Sequence, residues 1–175
     1  MKEQKMSLKV VILGDGGVGK TSIAKRYLSK GYFEEYLRTL GTDFYTRTQQ
    51  YNFEEGTFTF EWVIWGLSGQ PSFSEIRGSY YKGAKGGIVV YDVTRPVTFY
   101  NLPNWIREFF ERGGGIYPVV LVANKIDLIA STTNGVPPKE GKTYANELSN
   151  YIGLNIPHMT ASAKKIEISI KFSRT

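Results

Sequence analysis

The chain of 175 residues contains no cysteine. That excludes disulfides, thiolate metal sites and a C-terminal prenylation box, and it suits an intracellular protein. A single histidine, His158, offers no imidazole cluster for a metal and reads as an ordinary strand-end residue. Long apolar runs are missing too. Residues 10–13, 88–91 and 119–123 stop far short of the roughly 20 residues that a membrane span needs, so no integral membrane segment is expected. The opening Met1-Lys2-Glu3-Gln4-Lys5-Met6 has no apolar signal core, and Lys2 stands where myristoylation would require glycine. A cytoplasmic location without a lipid anchor is the expectation, and any membrane contact would be electrostatic or borrowed. The net charge of +6 has no basic and aromatic platform behind it. Lys2, Lys5 and Lys9 against Glu3 make the first nine residues +2, and Lys164, Lys165, Lys171 and Arg174 against Glu167 make residues 162–175 +3. The body between them is nearly neutral, so no nucleic-acid partner is expected.

What the chain does have is glycine in one dense place. Gly14-Asp15-Gly16-Gly17-Val18-Gly19-Lys20-Thr21 matches the phosphate-binding pattern GxxxxGK[ST] in full. The glycines let the backbone wrap a phosphate with its N–H groups pointing inward, and the following helix adds its positive end. Lys20 would reach the β- and γ-phosphates, and Thr21 would place its hydroxyl on Mg²⁺. With Ser22, the candidate phosphate-binding stretch runs from Gly14 to Ser22. Its context is right: the aliphatic run 8–13 predicts a buried strand, and Ile23, Ala24, Tyr27 and Leu28 share one stripe of a helix.

Aliphatic strands and helical stretches then alternate, the mark of a mostly parallel, doubly wound α/β sheet. Segments 45–51 and 57–65 flank Glu54-Glu55-Gly56 and predict a hairpin, which would form one antiparallel edge. Further strands are expected at 87–93, 119–123 and 156–160, and helices at 73–81, 99–110 and 139–152. Pro103 would restart or kink the second of these, since it has no N–H to donate. The length suits a single domain.

Two downstream motifs specify the base. Asn124-Lys125-Ile126-Asp127 follows the strand at 119–123, and Ser162-Ala163-Lys164 follows the last predicted strand. With the phosphate loop, and with phrases such as Thr39-Leu40-Gly41-Thr42-Asp43-Phe44 and Ser79-Tyr80-Tyr81-Lys82-Gly83-Ala84, the chain resembles the Ras superfamily of small GTPases, nearest in style to Rab-like members. The resemblance covers residues 7–164 of one G domain spanning 1–175. It implies a P-loop NTPase fold and GTP or GDP bound with Mg²⁺. It implies that Asp127 accepts two N–H bonds from guanine, which adenine cannot provide. Asn124 would contact the base and brace neighbouring loops, and the Lys125 stem would cover the ring. Ala163 would offer its N–H to the guanine carbonyl oxygen, in a loop shaped by Ser162 and Lys164, and Tyr32 or the adjacent Phe33 would lie over the guanine.

The same resemblance places two switch segments, residues 33–44 and 66–82. Thr39 would bind Mg²⁺ through its hydroxyl, as Thr21 does, and meet the γ-phosphate through its amide; Tyr36 would lie over the phosphates or stay an exposed loop tyrosine. The Gly69 amide would bind the γ-phosphate, and Gln70 would orient the attacking water beside Lys20 and Thr39. Effectors, exchange factors and GTPase-activating proteins would read these segments. An activating partner would supply an arginine over Gly16, with Arg38 the nearest candidate in the chain itself. One residue departs from the pattern. Trp65-Gly66-Leu67-Ser68-Gly69-Gln70 carries glycine where the family's metal-shell aspartate is usual. The alternative to a slow GTPase is therefore a guanine-nucleotide-binding module impaired in Mg²⁺ binding and hydrolysis. Pro71 after Gln70 also biases that glutamine toward an extended backbone. Finally, Ile166, Ile168, Ile170 and Phe172 alternate with polar residues at a strand period. The family's last helix is expected to be absent, the tail disordered or swapped onto a neighbour, and one sheet face partly exposed. Oligomeric state is left open.

Overall fold

The computed structural model describes residues 2–28, 35–39, 42–54, 56–162, 164 and 167–169. Eight strands form one sheet: β1 (Lys2–Leu13), β2 (Glu35–Thr39), β3 (Thr42–Phe53), β4 (Gly56–Leu67), β5 (Gly86–Asp92), β6 (Val119–Asn124), β7 (His158–Ser162) and β8 (Glu167–Ser169), in the order β2-β3-β4-β1-β5-β6-β7-β8. Within the six central strands, β4, β1, β5, β6 and β7 run parallel and β3 runs antiparallel. The short β2 and β8 extend the two edges with antiparallel pairings. Among the described residues five α-helices accompany the sheet: α1 (Lys20–Leu28), α2 (Ser74–Tyr81), α3 (Pro96–Tyr100), α4 (Leu102–Gly113) and α5 (Pro138–Ile152).

The parallel strands are apolar on both faces because helices cover both. Val11 and Leu13, Val89 and Tyr91, and Leu121 and Ala123 point into the larger core with Leu102, Ile106 and Phe109 of α4 and Ala145 of α5. The intervening Ile12, Val90 and Val122 point to the other face, where they meet Val18 and Ala24. Fully burying one such aliphatic side chain contributes roughly 1.5–3 kcal/mol, so the alternation fixes the register of every central strand.

Several boundaries differ from the sequence expectation, the strand at 156–160 running instead from His158 to Ser162, and three differences have a physical reason. The strand at 8–13 begins at Lys2, because its polar first half pairs with β4 from Gly56 onward. The helix expected at 99–110 is two helices that meet at Asn101, α3 and α4, each with a proline in its first turn, where the missing N–H has no intrahelical partner to lose. The tail expected to be disordered or swapped instead pairs residues 167–169 with β7 of its own chain, as the strand period of that segment required. The sheet face beside α1 carries the smaller cluster of buried residues. Ile23, Trp62, Ile88, Val120 and Met159 are only partly buried there.

His158 opens β7, with Nε2 3.0 Å from the Tyr91 hydroxyl. Burial, with the Lys142 charge adding to it, pushes its pKa down to about 4. The unfolded chain binds the proton near pH 6.5 and the folded chain only near 4, so stability falls as pH drops through that window. Melting temperatures between pH 7 and 4 should therefore decline less steeply in His158→Gln than in the unaltered chain; equal slopes would contradict this account.

Candidate functional site

The glycine loop lies between the carboxyl end of β1 and the start of α1, where backbone N–H groups face an anion. Two of its glycines are obligatory on contact grounds as well as conformation. Gly14, at φ +132°, sits against the Val90 carbonyl, and Gly19, at φ +99°, sits against the Asn124 side chain, so a Cβ at either would collide. The loop's shape is thus set by β5 and β6. Asn124 completes the lock by donating from Nδ2 to the Val18 carbonyl at 2.7 Å.

Lys20 folds over the loop, donating to the carbonyls of Gly14 at 2.6 Å and Asp15 at 2.7 Å. Burial pulls its pKa down to about 8, against the opposing pull of Asp15, while Arg77 and Arg95 lower it further. Asp15 contributes backbone only. Its carboxylate is turned onto α4 by Asn101 Nδ2 at 2.8 Å and Trp105 Nε1 at 2.6 Å. Thr21 donates its hydroxyl to Asp43 Oδ2 at 2.8 Å.

At the other end, Lys125 takes a left-handed backbone at φ +64°. Its Nζ lies 2.6 Å from Asp92 Oδ2, a carboxylate with 0% exposure. Burial alone would push the Asp92 pKa up, but hydrogen bonds from Lys125, Thr94 and Arg95 outweigh it and hold the group below the usual carboxylate range. Asp127 accepts from the Ser162 hydroxyl at 2.6 Å, which fixes its orientation. Asn124 Oδ1 is buried without a hydrogen-bond partner among the described residues. A buried amide oxygen with open lone pairs beside the glycine cradle suits a nucleotide as the missing partner. The Thr21 hydroxyl and Asp43 carboxylate are likewise the hard oxygen donors that Mg²⁺ takes. Both groups fit the residues present.

The segment after β4 packs directly on the cradle. A Cβ on Gly69 would collide with the Gly14 and Asp15 backbone, so only glycine allows this approach. Gln70 is exposed and held by its backbone: Arg77 Nη1 donates to its carbonyl at 3.1 Å and to that of Ser68 at 3.4 Å. Arg77 in turn makes two bonds to Glu108 of α4, at 2.8 and 3.0 Å.

The structure therefore gathers Gly14 to Thr21, Gly69 and Asn124 around one cradle, with Lys125, Asp127 and Ser162 beside it. Lys164 is exposed, and its carbonyl accepts from Arg26 at 3.2 Å. Thr39 ends β2 opposite Thr42. Tyr32, Phe33 and Ala163 lie outside the described residues, as do the side chains of Tyr36, Arg38 and Thr39. Sequence reasoning missed three residues of the site. Asp43 and Asp92 stood only within the Rab-like phrases Thr39 to Phe44 and Tyr91 to Thr94, with no role at the site given to either. Arg95 donates to the Gly16 carbonyl at 2.9 Å from the turn after β5, whereas proximity in sequence points to Arg38. No local pattern gives these three a role at the site; register and the β5–α3 turn bring them in.

The Ras family profile matches residues 9–173. This chain belongs to the Ras family. Among curated relatives it is 37% identical over 162 residues to a Ras-related protein Rab7 of Cenchrus ciliaris, covering 90% of this chain and 74% of that one. It is 37% identical over 161 residues to the Ras-related protein RABG3f of Arabidopsis thaliana, with the same 90% and 74% coverage. The GTP-binding protein YPTM2 of Zea mays is 36% identical over 156 residues, 89% of this chain and 71% of its own. The chain is thus a Rab-like member of the family. Among its described residues no helix is long and apolar enough to cross a membrane.

The lowered Lys20 pKa carries a pH prediction for this Rab-like site. An anion held against Lys20 raises its pKa again, so nucleotide binding above pH 8 should take up a proton, and affinity should fall as pH rises further. Calorimetric titration with GDP at pH 7 and pH 9, in buffers of different ionisation enthalpy, should give greater proton uptake at pH 9. Equal uptake at the two pH values would contradict it.

Proposed function

We propose that this Ras-family chain binds GTP and GDP with Mg²⁺ and hydrolyses GTP slowly, as a two-state switch. One observation carries the reading: the 2.7 Å bond from Asn124 Nδ2 to the Val18 carbonyl joins the phosphate cradle and the base-reading motif into one continuous site. In that site the loop N–H groups and Lys20 neutralise phosphate charge. Thr21 and Thr39 are assigned to hold Mg²⁺, which would supply positive charge against the charge that develops on the phosphate in the reaction. Asp127, aimed by Ser162, selects guanine. A base-pairing group left buried and unpaired is costly, so sites of this kind discriminate by roughly 10⁴ or more.

Gln70 is assigned to orient the attacking water. Arg77 anchors its backbone while the side chain stays free in solvent, an arrangement that suits a slow intrinsic rate and a partner that completes the site. Such a partner's arginine can raise the rate by roughly 10³–10⁵. Effectors and exchange factors would read the surface between the two switch segments. There Phe44, Trp65 and Tyr80 pack in sequence, with ring centroids 5.1 and 5.4 Å apart. The cytoplasm is the compartment that this reading assigns.

Gly66 favours a second reading, a module that holds guanine nucleotide and barely hydrolyses it. Single-turnover hydrolysis on GTP-loaded protein, with and without Mg²⁺ and with bound nucleotide tracked throughout, separates the two. Mg²⁺-dependent conversion to GDP is the expected result. Stable GTP binding without conversion would establish the module instead.

A further inference from the structure

The register of β3 and β4 sets Gly66 directly opposite Asp43. A Cβ built on Gly66 would lie 3.6 Å from the Asp43 Cβ, an ordinary contact, so side chains at the two positions would stand next to each other at the same end of the sheet. Asp43 already turns its carboxylate to the phosphate loop, where it accepts the Thr21 hydroxyl proton at 2.8 Å. The other acids around the cradle are committed elsewhere. Asp15 is bound by Asn101 and Trp105, Asp92 by Lys125 and Arg95, and Asp127 by Ser162.

A threonine hydroxyl has one proton and two lone pairs. With the proton given to Asp43, the lone pairs are left for a hard cation, and the carboxylate becomes the outer partner that fixes the ligand's orientation and raises its basicity. Mg²⁺ is usually held in this way, by one or two carboxylates together with phosphate oxygens and water. Among the described residues no group of three or more His, Cys, Asp or Glu could hold it alone.

We propose that Asp43 supplies from β3 the Mg²⁺-shell carboxylate that Gly66 does not supply from β4, acting as a positioning residue through Thr21. This rests on the guanine-nucleotide reading above. The missing acid is then a relocated one, and the site keeps its metal.

The test is the rate of fluorescent GDP release from the full chain across a Mg²⁺ titration, with EDTA as the metal-free limit. Mg²⁺ should slow release from the unaltered protein. Asp43→Asn should raise the Mg²⁺ concentration for half-maximal slowing by roughly 10–100-fold while leaving the EDTA rate unchanged. Adding Gly66→Asp to Asp43→Asn should return that concentration toward the original value, a rescue that a purely structural role for Asp43 would not produce. An unmoved Mg²⁺ midpoint in Asp43→Asn, an EDTA rate changed as much as the Mg²⁺ rate, or no Mg²⁺ effect in the unaltered protein would each overturn the proposal while nucleotide binding stood. Failure of the unaltered protein to hold GDP at all would overturn the guanine-nucleotide reading, and the proposal with it.

Discussion

The buried bond between the Asn124 amide and the Val18 carbonyl is the constraint on which the rest of the site depends. It ties the loop after β1 to the carboxyl end of β6, across the intervening β5. The bond helps the glycine loop to keep one shape, because glycine backbone is free to adopt many conformations and loses more entropy than other residues when it is fixed. Gly19 shows the reciprocity. It must be glycine because Asn124 is there, and Asn124 can be there because position 19 has no side chain. The parallel sheet brings both loops to the carboxyl ends of its strands, where open α/β sheets place their ligands.

Around that bond, charge is arranged so that little of it is idle. Asp92 is wholly buried, yet it is held as a carboxylate by Lys125, Thr94 and Arg95, and it fixes Lys125 after β6 and Arg95 at the glycine loop together. Arg77 and Glu108 do the same for the second switch. Burial would push Glu108 up, but the hydrogen bonds of Arg77 and Tyr81 hold it below its usual range, and the guanidinium has donors left for the Ser68 and Gln70 carbonyls. Breaking a buried pair of this kind is expensive because the remaining charge is left without compensation. The second switch is therefore pinned at its root on α4 while the Gln70 side chain is left to solvent.

What could be read from residue order was contiguous. The phosphate loop and Asn124 to Asp127 are short patterns whose chemistry is complete within a few residues. The buried strands announced themselves as aliphatic runs. The polar start of β1 did not, because pairing with β4 places it in the sheet without burying it. The division between α3 and α4 was half visible, in Pro103, and needed Pro96 and Asn101 to be complete. The pairing of Asp43 with Gly66 was invisible, since it is a property of strand register and the two residues lie in separate motifs. Read alone, Gly66 is a lost acid; read across the sheet, it faces one.

Selection of guanine by a cradle and a base motif locked together is the central claim, and equilibrium titration of nucleotide-free protein with GDP and with ADP tests it most directly. The account predicts saturable GDP binding at least about 10⁴-fold tighter than ADP. Comparable affinities, or no GDP binding, would contradict it.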